Sequence, residues 1–323
     1  MGRGVSIDRV RAQAFEIPTD RPEADGTTSW NSTTLVVVVL SGGGQTGTGY
    51  TYSGASTVKL ICDKLAPAIE GSDAFSPQSA WLAMQRSVRN LGREGLAATA
   101  ISAVDAAIYD LKARVLNLPL FMLLGSYRSS VPIYGSGGFT TYSDQELQDQ
   151  LGGWVAEQGC AFVKMKVGSQ PDKDPHRVRV AKKAIGDRAV LFVDANGAYR
   201  VQQALELADE FAEQQVGWFE EPVSSDDLNG LREIRKRTPV GMEIAAGEYA
   251  YTTDYVRNML EARAVAVQQA DVTRCGGITA FLQIAGLCEA FHIDLSGHCA
   301  PAGTDHRLAL LIIAKTVTRL FGP

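Results

Sequence analysis

The chain has 323 residues, 45% of them hydrophobic and 21% charged, with a formal net charge of -5. That describes a globular protein long enough for two domains, and its acidic balance gives no electrostatic case for nucleic acid or an anionic membrane surface. No apolar run approaches the roughly 20 residues of a membrane helix. Cys62, Cys160, Cys275, Cys288 and Cys299 are scattered without a CxxC pair, a usage expected of a reducing, cytoplasmic setting without disulfides or zinc.

Near the start, residues 5–17, 33–40 and 46–52 are β-rich, with the Gly42-Gly43-Gly44 turn before the third run. They predict a small antiparallel sheet. Helical periodicity follows, most clearly over 96–116, where Ile101, Val104, Ile108, Leu111 and Val115 recur at three- and four-residue spacing. A sheet followed by helices predicts an α+β domain over residues 1–127. From residue 128 to 323 short apolar runs at 131–134, 162–167, 190–193, 216–219, 242–246, 265–268 and 293–295 alternate with helix-like stretches such as 175–185 and 202–213. That alternation predicts a parallel sheet, either an open doubly wound sheet or a closed barrel.

What ends each run decides between the two. The second run carries Lys164 and Lys166, and the later ones lead to Asp194, Glu220-Glu221, Glu248, Asp271 and His298. From Lys166 onward the separations are 28, 26, 28, 23 and 27 residues, the scale of one β/α unit. In a barrel the carboxyl ends of parallel strands converge on one face, whereas an open sheet would spread them into a line. The barrel is therefore preferred.

Any one of these acids alone would serve as well as a helix cap. Asp194, Glu220 and Glu248 recur in the same register and would repel one another without a cation between them. Oxygen-only ligation selects a hard ion, magnesium, with manganese as the alternative. Lys164 and Lys166, two apart on a strand, share one face. Burial and a neighbouring ammonium would lower the pKa of Lys166 toward neutrality and fit it to act as a base, with Lys164 supplying that charge and binding a substrate carboxylate. His298 ends a run one unit after Asp271, and a carboxylate-oriented imidazole is a common general base.

As an ordered set, these residues resemble the mandelate racemase branch of the enolase superfamily (the mandelate racemase/muconate lactonizing enzyme family). The matching pieces are Lys164-Met165-Lys166, Asp194-Ala195-Asn196, Trp218-Phe219-Glu220-Glu221-Pro222, Gly247-Glu248, Asp271 with Gly276-Gly277, His298, and the helix around residues 103–107. The resemblance implies an α+β capping domain over a TIM-type, (β/α)7β-like barrel. It implies Asp194, Glu220 and Glu248 as metal ligands, Lys166 with Lys164 beside it and the His298–Asp271 pair as the catalytic groups on opposite faces of the substrate, Asn196 as a further substrate-binding group, and Asn196 and Glu221 supporting them. Segments 19–31 and 50–53 would cover the site, and their polar content suits a hydroxylated acid. After Asp305 there is no acid and the sequence ends at Gly322-Pro323, so the barrel is expected to be truncated before or within its eighth strand.

The implied chemistry is magnesium-dependent abstraction of the proton α to a carboxylate with enediolate stabilisation. Dehydration of an aldonate or aldarate to a 2-keto-3-deoxy acid is the leading expectation. A racemase or epimerase of a 2-hydroxy acid is the alternative, and a catalytically silent chain that binds a metal or acid is a third. The expected partner is a small carboxylic acid, with no nucleic acid or membrane and with room for a homo-oligomer.

Overall fold

The computed structural model describes residues 4–125, 128 and 130–299. The N-terminal unit opens with three antiparallel strands in the order β1 (Arg9–Ala24), β2 (Ser29–Gly42) and β3 (Gln45–Tyr52). Segment 19–31, expected as a covering loop, is the distal half of the β1–β2 hairpin, with an irregularity between Pro18 and Glu23. Segment 50–53 is largely the end of β3. Helices follow as α1 (Ser56–Leu60), a π-helical turn, α2 (Ala66–Ile69), α3 (Pro77–Ser87), α4 (Leu96–Val115) and α5 (Leu120–Leu123).

Helix α4 joins the two halves of the molecule. Ile101, Val104, Ile108 and Leu111 are fully buried, each contributing about 1.5–3 kcal/mol of apolar burial. Small residues let the sheet come close: a Cβ on Gly49 would lie 2.1 Å from the Ala103 carbonyl, so β3 can approach only as glycine.

The second unit alternates strand and helix: β4 (Gly135–Gly137), α6 (Asp144–Ala156), β5 (Phe162–Lys166), α7 (Asp174–Ile185), β6 (Val190–Asp194), α8 (Val201–Glu213), β7 (Val216–Glu220), α9 (Leu228–Arg237), β8 (Glu243–Ala246), α10 (Thr253–Glu261), β9 (Val267–Asp271), α11 (Gly277–Phe291) and β10 (Asp294–His298). The seven strands pair in parallel and in chain order, forming a curled half-barrel. Alternation sorts their side chains. Val163, Met165, Leu191, Val193 and Phe219 face the helices in the main core, while Phe192, Trp218, Ala245 and Val267 form a separate interior cluster with Tyr134 and Phe162.

The first barrel strand lies later than expected. Run 131–134 is irregular, and the strand is Gly135–Gly137. It carries no apolar signal because Trp154 packs on its backbone: a Cβ on Gly135 would meet the ring at 2.5 Å. The expected truncation at the eighth strand concerns residues 300–323, outside the described residues. Among the described residues no helix is long and apolar enough to cross a membrane.

The cap is pinned to the barrel at the start of α11. Buried Asp105 accepts from the Thr279 amide at 2.9 Å and hydroxyl at 2.8 Å, Ser102 Oγ accepts from the Gly276 amide at 2.9 Å, and Trp81 Nε1 donates to the Gly276 carbonyl at 2.8 Å. Burial raises the Asp105 pKa from 3.8 to about 7, more than the bonds from residues 278 and 279 lower it. A raised carboxyl holds its proton in the folded state after the unfolded chain has lost it. Its contribution therefore declines between pH about 4 and about 7, by up to about 1.4 kcal/mol per pH unit. Asp105→Asn should flatten that decline, and urea unfolding of both proteins at pH 5 and 7.5 checks it. Parallel pH dependence in the two would disprove the assignment.

Candidate active site and metal centre

The candidate residues meet where the strands end. Asp194 closes β6, Glu220 closes β7, and Glu248 follows β8 after Gly247. Register sets Asp194 beside Glu220 and Lys166 beside Asp194. One carboxylate oxygen from each of Asp194, Glu220 and Glu248 lies within 4.8 Å of the others, and all three residues are buried. The donors are oxygen only and acidic, so they fit a hard divalent cation.

Two lysines flank the triad from β5. Lys164, only 1% exposed, is paired with Glu220 and lies 3.4 Å from Asp194 Oδ2. Its Nζ is 5.3 Å from the centre of the Tyr134 ring. Lys166 Nζ donates to Asp194 Oδ2 at 2.5 Å and Asn196 Oδ1 at 2.9 Å. Asn196 holds its position through a left-handed backbone (φ 47°) and a hydrogen bond that its backbone N–H donates to Asp194 Oδ1 at 2.9 Å. On the other flank His298 Nδ1 is 2.8 Å from Asp271 Oδ2, and its Nε2 is 2.9 Å from Glu248 Oε2. The lysines therefore engage Asp194 and Glu220, and the imidazole engages Glu248.

Charge balance sets the protonation states. Burial favours a neutral Lys166, but Asp194 and Glu248 outweigh it and raise its pKa. This corrects the expectation of a lowered value, since the carboxylates overrule both burial and Lys164. Burial likewise lowers His298, yet Glu248 and Asp271 raise it to about 9. Glu248 is held well below the ordinary carboxylate range: burial opposes this, but His298, Lys166 and Arg274 prevail. Glu220 goes the other way, to about 7, through burial and the charge on Asp194. Burial together with Glu248, Asp194 and Glu220 pushes Glu221 well up.

Sequence reasoning assigned no role to several neighbours, Trp218 among them, which it named only as part of a matching motif. Gln269 Nε2 donates to Glu220 Oε2 at 2.9 Å, and Trp218 Nε1 lies 3.2 Å from the same oxygen. Strand alternation could have found both, since each stands two residues from an acid at a strand end. Arg274 lies 3.6 Å from Glu248 and 3.8 Å from Asp271. Thr273 donates to Asp271 Oδ1 through its amide and hydroxyl, each at 2.7 Å, and its carbonyl receives Thr51 Oγ1 from β3 at 2.6 Å.

The hairpin covers the other rim. Asp25 closes its turn by accepting from the Thr27 and Thr28 amides at 2.6 and 2.8 Å. A Cβ on Gly26 would lie 2.3 Å from the Ala195 carbonyl, so the turn rests on the backbone beside Asp194. Trp30 packs edge-on against Phe139 at 5.6 Å, and Arg21 is ion-paired with Glu146 of α6.

Residues 146–320 match the family model described as enolase C-terminal domain-like, and residues 10–125 match the mandelate racemase / muconate lactonizing enzyme N-terminal domain. A mandelate racemase/muconate lactonizing enzyme-like protein from Rubrobacter xylanophilus has a crystal structure that superposes with a TM-score of 0.92 at 49% identity, over 96% of this chain and 85% of that one. A racemase from Streptomyces coelicolor, crystallised with bound magnesium, gives 0.90 at 32% identity, over 96% and 87%. By sequence, 3,6-anhydro-alpha-L-galactonate cycloisomerase of Streptomyces coelicolor is 34% identical over 94% of this chain and 85% of its own length. L-talarate/galactarate dehydratase of Salmonella typhimurium is 30% identical over 82% and 67%.

A cation bound only by the folded triad raises stability by mass action, by about 2.7 kcal/mol at one hundred times its dissociation constant. Magnesium should therefore raise the melting temperature, and Glu220→Gln should shrink that rise. Melting curves unaltered by magnesium in a folded sample would remove the metal assignment.

Proposed function

Because this chain belongs to the mandelate racemase/muconate lactonizing enzyme family of the enolase superfamily, we propose that it removes the proton α to a substrate carboxylate and dehydrates an acid sugar to a 2-keto-3-deoxy acid. The observation that carries this reading is the flanking of one buried carboxylate triad by Lys166 on one side and His298 on the other. A family relative that dehydrates talarate and galactarate supports the choice of substrate class.

A magnesium ion held by Asp194, Glu220 and Glu248 would supply positive charge for the substrate carboxylate, where negative charge accumulates as the α-proton leaves. With those acids engaged by a cation, the hold of Asp194 and Glu248 on the Lys166 proton weakens. Burial and Lys164 then favour the neutral amine a base requires. Lys166 Nζ takes the α-proton, while Asn196 orients that nitrogen. His298 enters protonated, its charge held by Asp271, which fixes Nδ1 so that Nε2 faces the reaction. Nε2 delivers its proton to the departing β-hydroxyl, the C–O bond breaks, and water leaves. The resulting enol becomes the 2-keto acid.

An isomerase reading shares the first proton transfer, and the cycloisomerase and racemase among the relatives support it. It differs in conserving mass, because no water is released.

A panel of aldonic and aldaric acids incubated with magnesium in heavy water separates these readings, with loss of water read by mass and deuterium read at the α-carbon. Lys166→Ala should abolish exchange from one face and His298→Asn from the other, each lowering turnover at least about 100-fold. Asp271→Asn should resemble His298→Asn, because its task is to orient and charge that imidazole. Wild-type exchange and turnover in all three variants would refute the base assignments, and a product that gains deuterium at the α-carbon yet keeps the elements of water would select the isomerase.

A further inference from the structure

The main chain around Lys166 is tied to the first turn of α7. Asp174 Oδ2 accepts from the Gly168 amide at 2.8 Å and from the Tyr199 hydroxyl at 2.6 Å. Arg177, one turn further along, donates through Nη1 to the Tyr142 carbonyl at 2.8 Å and through Nη2 to the carbonyls of Phe139 at 3.0 Å and Gly138 at 3.3 Å. The Gly138 carbonyl also receives the Lys166 amide at 3.1 Å. Asp174 is 1% exposed and Arg177 9%. Asp174 opens α7, yet its bonds go to other turns and its Oδ1 has no hydrogen-bond partner, so helix capping does not account for it. Tyr199 lies on the turn after β6, three residues past Asn196, which receives Lys166 Nζ. Asp174 therefore joins the exits of β5 and β6, which carry Lys166 and its side-chain partner.

We propose that Asp174 and Arg177 are positioning residues that hold the exit of β5 and so aim Lys166 at the α-proton. This inference rests on the reading of Lys166 as a base. A base must stand within hydrogen-bond reach of the proton it takes, and a misplacement of about 1 Å can cost about 100-fold in rate. A lysine nitrogen rides on a flexible four-carbon stem, so its place depends on how firmly the main chain beneath it is fixed. Lys166 is the last residue of β5, and Gly168 beyond it has φ 106°, a conformation glycine reaches without being locked there. Asp174 supplies that lock. On the other side, the planar fork of Arg177 fits several carbonyls at once, which an ammonium does not. The loop it grips is also held by the cap hairpin, since the Thr140 amide donates to the Ala24 carbonyl at 2.9 Å and the Thr141 hydroxyl to the Pro22 carbonyl at 3.1 Å. His298 stands at the opposite flank, engaged by Asp271 and Glu248. The pair on α7 therefore acts on one face of the substrate.

The test is deuterium exchange at the α-carbon by the magnesium-loaded protein in heavy water, read face by face on the aldonate or aldarate that wild type exchanges fastest. Asp174→Ala should slow exchange from the Lys166 face at least about tenfold and alter exchange from the His298 face less than about threefold. Asp174→Asn keeps an oxygen that can accept from both donors and should return the rate to within about threefold of wild type. Arg177→Lys, a point charge in place of a fork, should fall between the two. A magnesium-dependent rise in melting temperature shows that a variant is folded with its triad intact. Should Asp174→Ala not fold, Tyr199→Phe, which keeps the ring edge-on to Phe219, should slow the same face at least about threefold. Amide hydrogen exchange is measured alongside. The Lys166 amide, whose own acceptor is untouched in every variant, should exchange at least about tenfold faster in Asp174→Ala and Arg177→Lys, while the amides of α4 keep their wild-type rates. Equal slowing from both faces, full loss in Asp174→Asn, or unaltered protection of the Lys166 amide would overturn the proposal. If wild type exchanges no acid, the base reading fails, and the Lys166 amide alone decides whether the pair holds the strand exit.

Discussion

Mutual repulsion among Asp194, Glu220 and Glu248 is the constraint around which the mouth of this half-barrel is built. Their oxygens converge within 4.8 Å in a buried setting, where each like-charged pair costs about 3 kcal/mol at an effective dielectric of about 20. The surrounding groups offset that cost in different ways. Lys164 neutralises Glu220 from beneath, Lys166 neutralises Asp194, and His298 with Arg274 neutralises Glu248. Glu220 remains the most readily protonated of the three. A divalent cation would satisfy all three at once and release Lys166 and His298 from their structural pairing. The groups that hold the acids together in its absence are the ones proposed to handle protons in its presence.

The scaffold keeps this charge away from water by alternation along each strand. Phe162, Phe192 and Trp218 stack beneath the site, with ring centres 5.6 and 4.9 Å apart. Two residues further along the same strands stand Lys164, Asp194 and Glu220. The aromatic layer seals the interior from below and leaves the charged layer at the carboxyl rim, where the β/α turns give it access to a ligand. Trp218 belongs to both layers, since its indole nitrogen reaches Glu220.

The cap completes the mouth through contacts that are mostly backbone. The Thr51 hydroxyl reaches the Thr273 carbonyl beside Asp271, while the turn at Gly26 sits on the carbonyl chain after Asp194. One cap thereby meets both flanks of the triad, and the α4–α11 junction at Asp105 sets the angle from which it does so. Side chains elsewhere on the hairpin and on the loop at Glu94 are left to shape what enters.

Much of this architecture was legible in the sequence because it rests on local periodicity. Apolar runs of strand length, helix-length spacers and an ionisable residue at the end of each unit placed Lys164, Lys166, Asp194, Glu220, Glu248, Asp271 and His298 on one rim. Helix α4 was equally plain, since its apolar spacing holds along its length. The strand Gly135–Gly137 was not, because its fit against Trp154 demands the absence of side chains, and absence leaves no hydrophobic signal. The covering segment 19–31 read as a loop because its residues are polar, although the backbone there pairs as a hairpin. Only the tertiary structure showed the carboxylates that raise the pKa of Lys166, the contacts of Gln269 and Arg274, and the acid-lined cavity reaching from Glu221 to Glu94. Each depends on distances between side chains from different strands or domains. Electrostatic energy varies with separation and burial, which residue spacing along the chain does not encode.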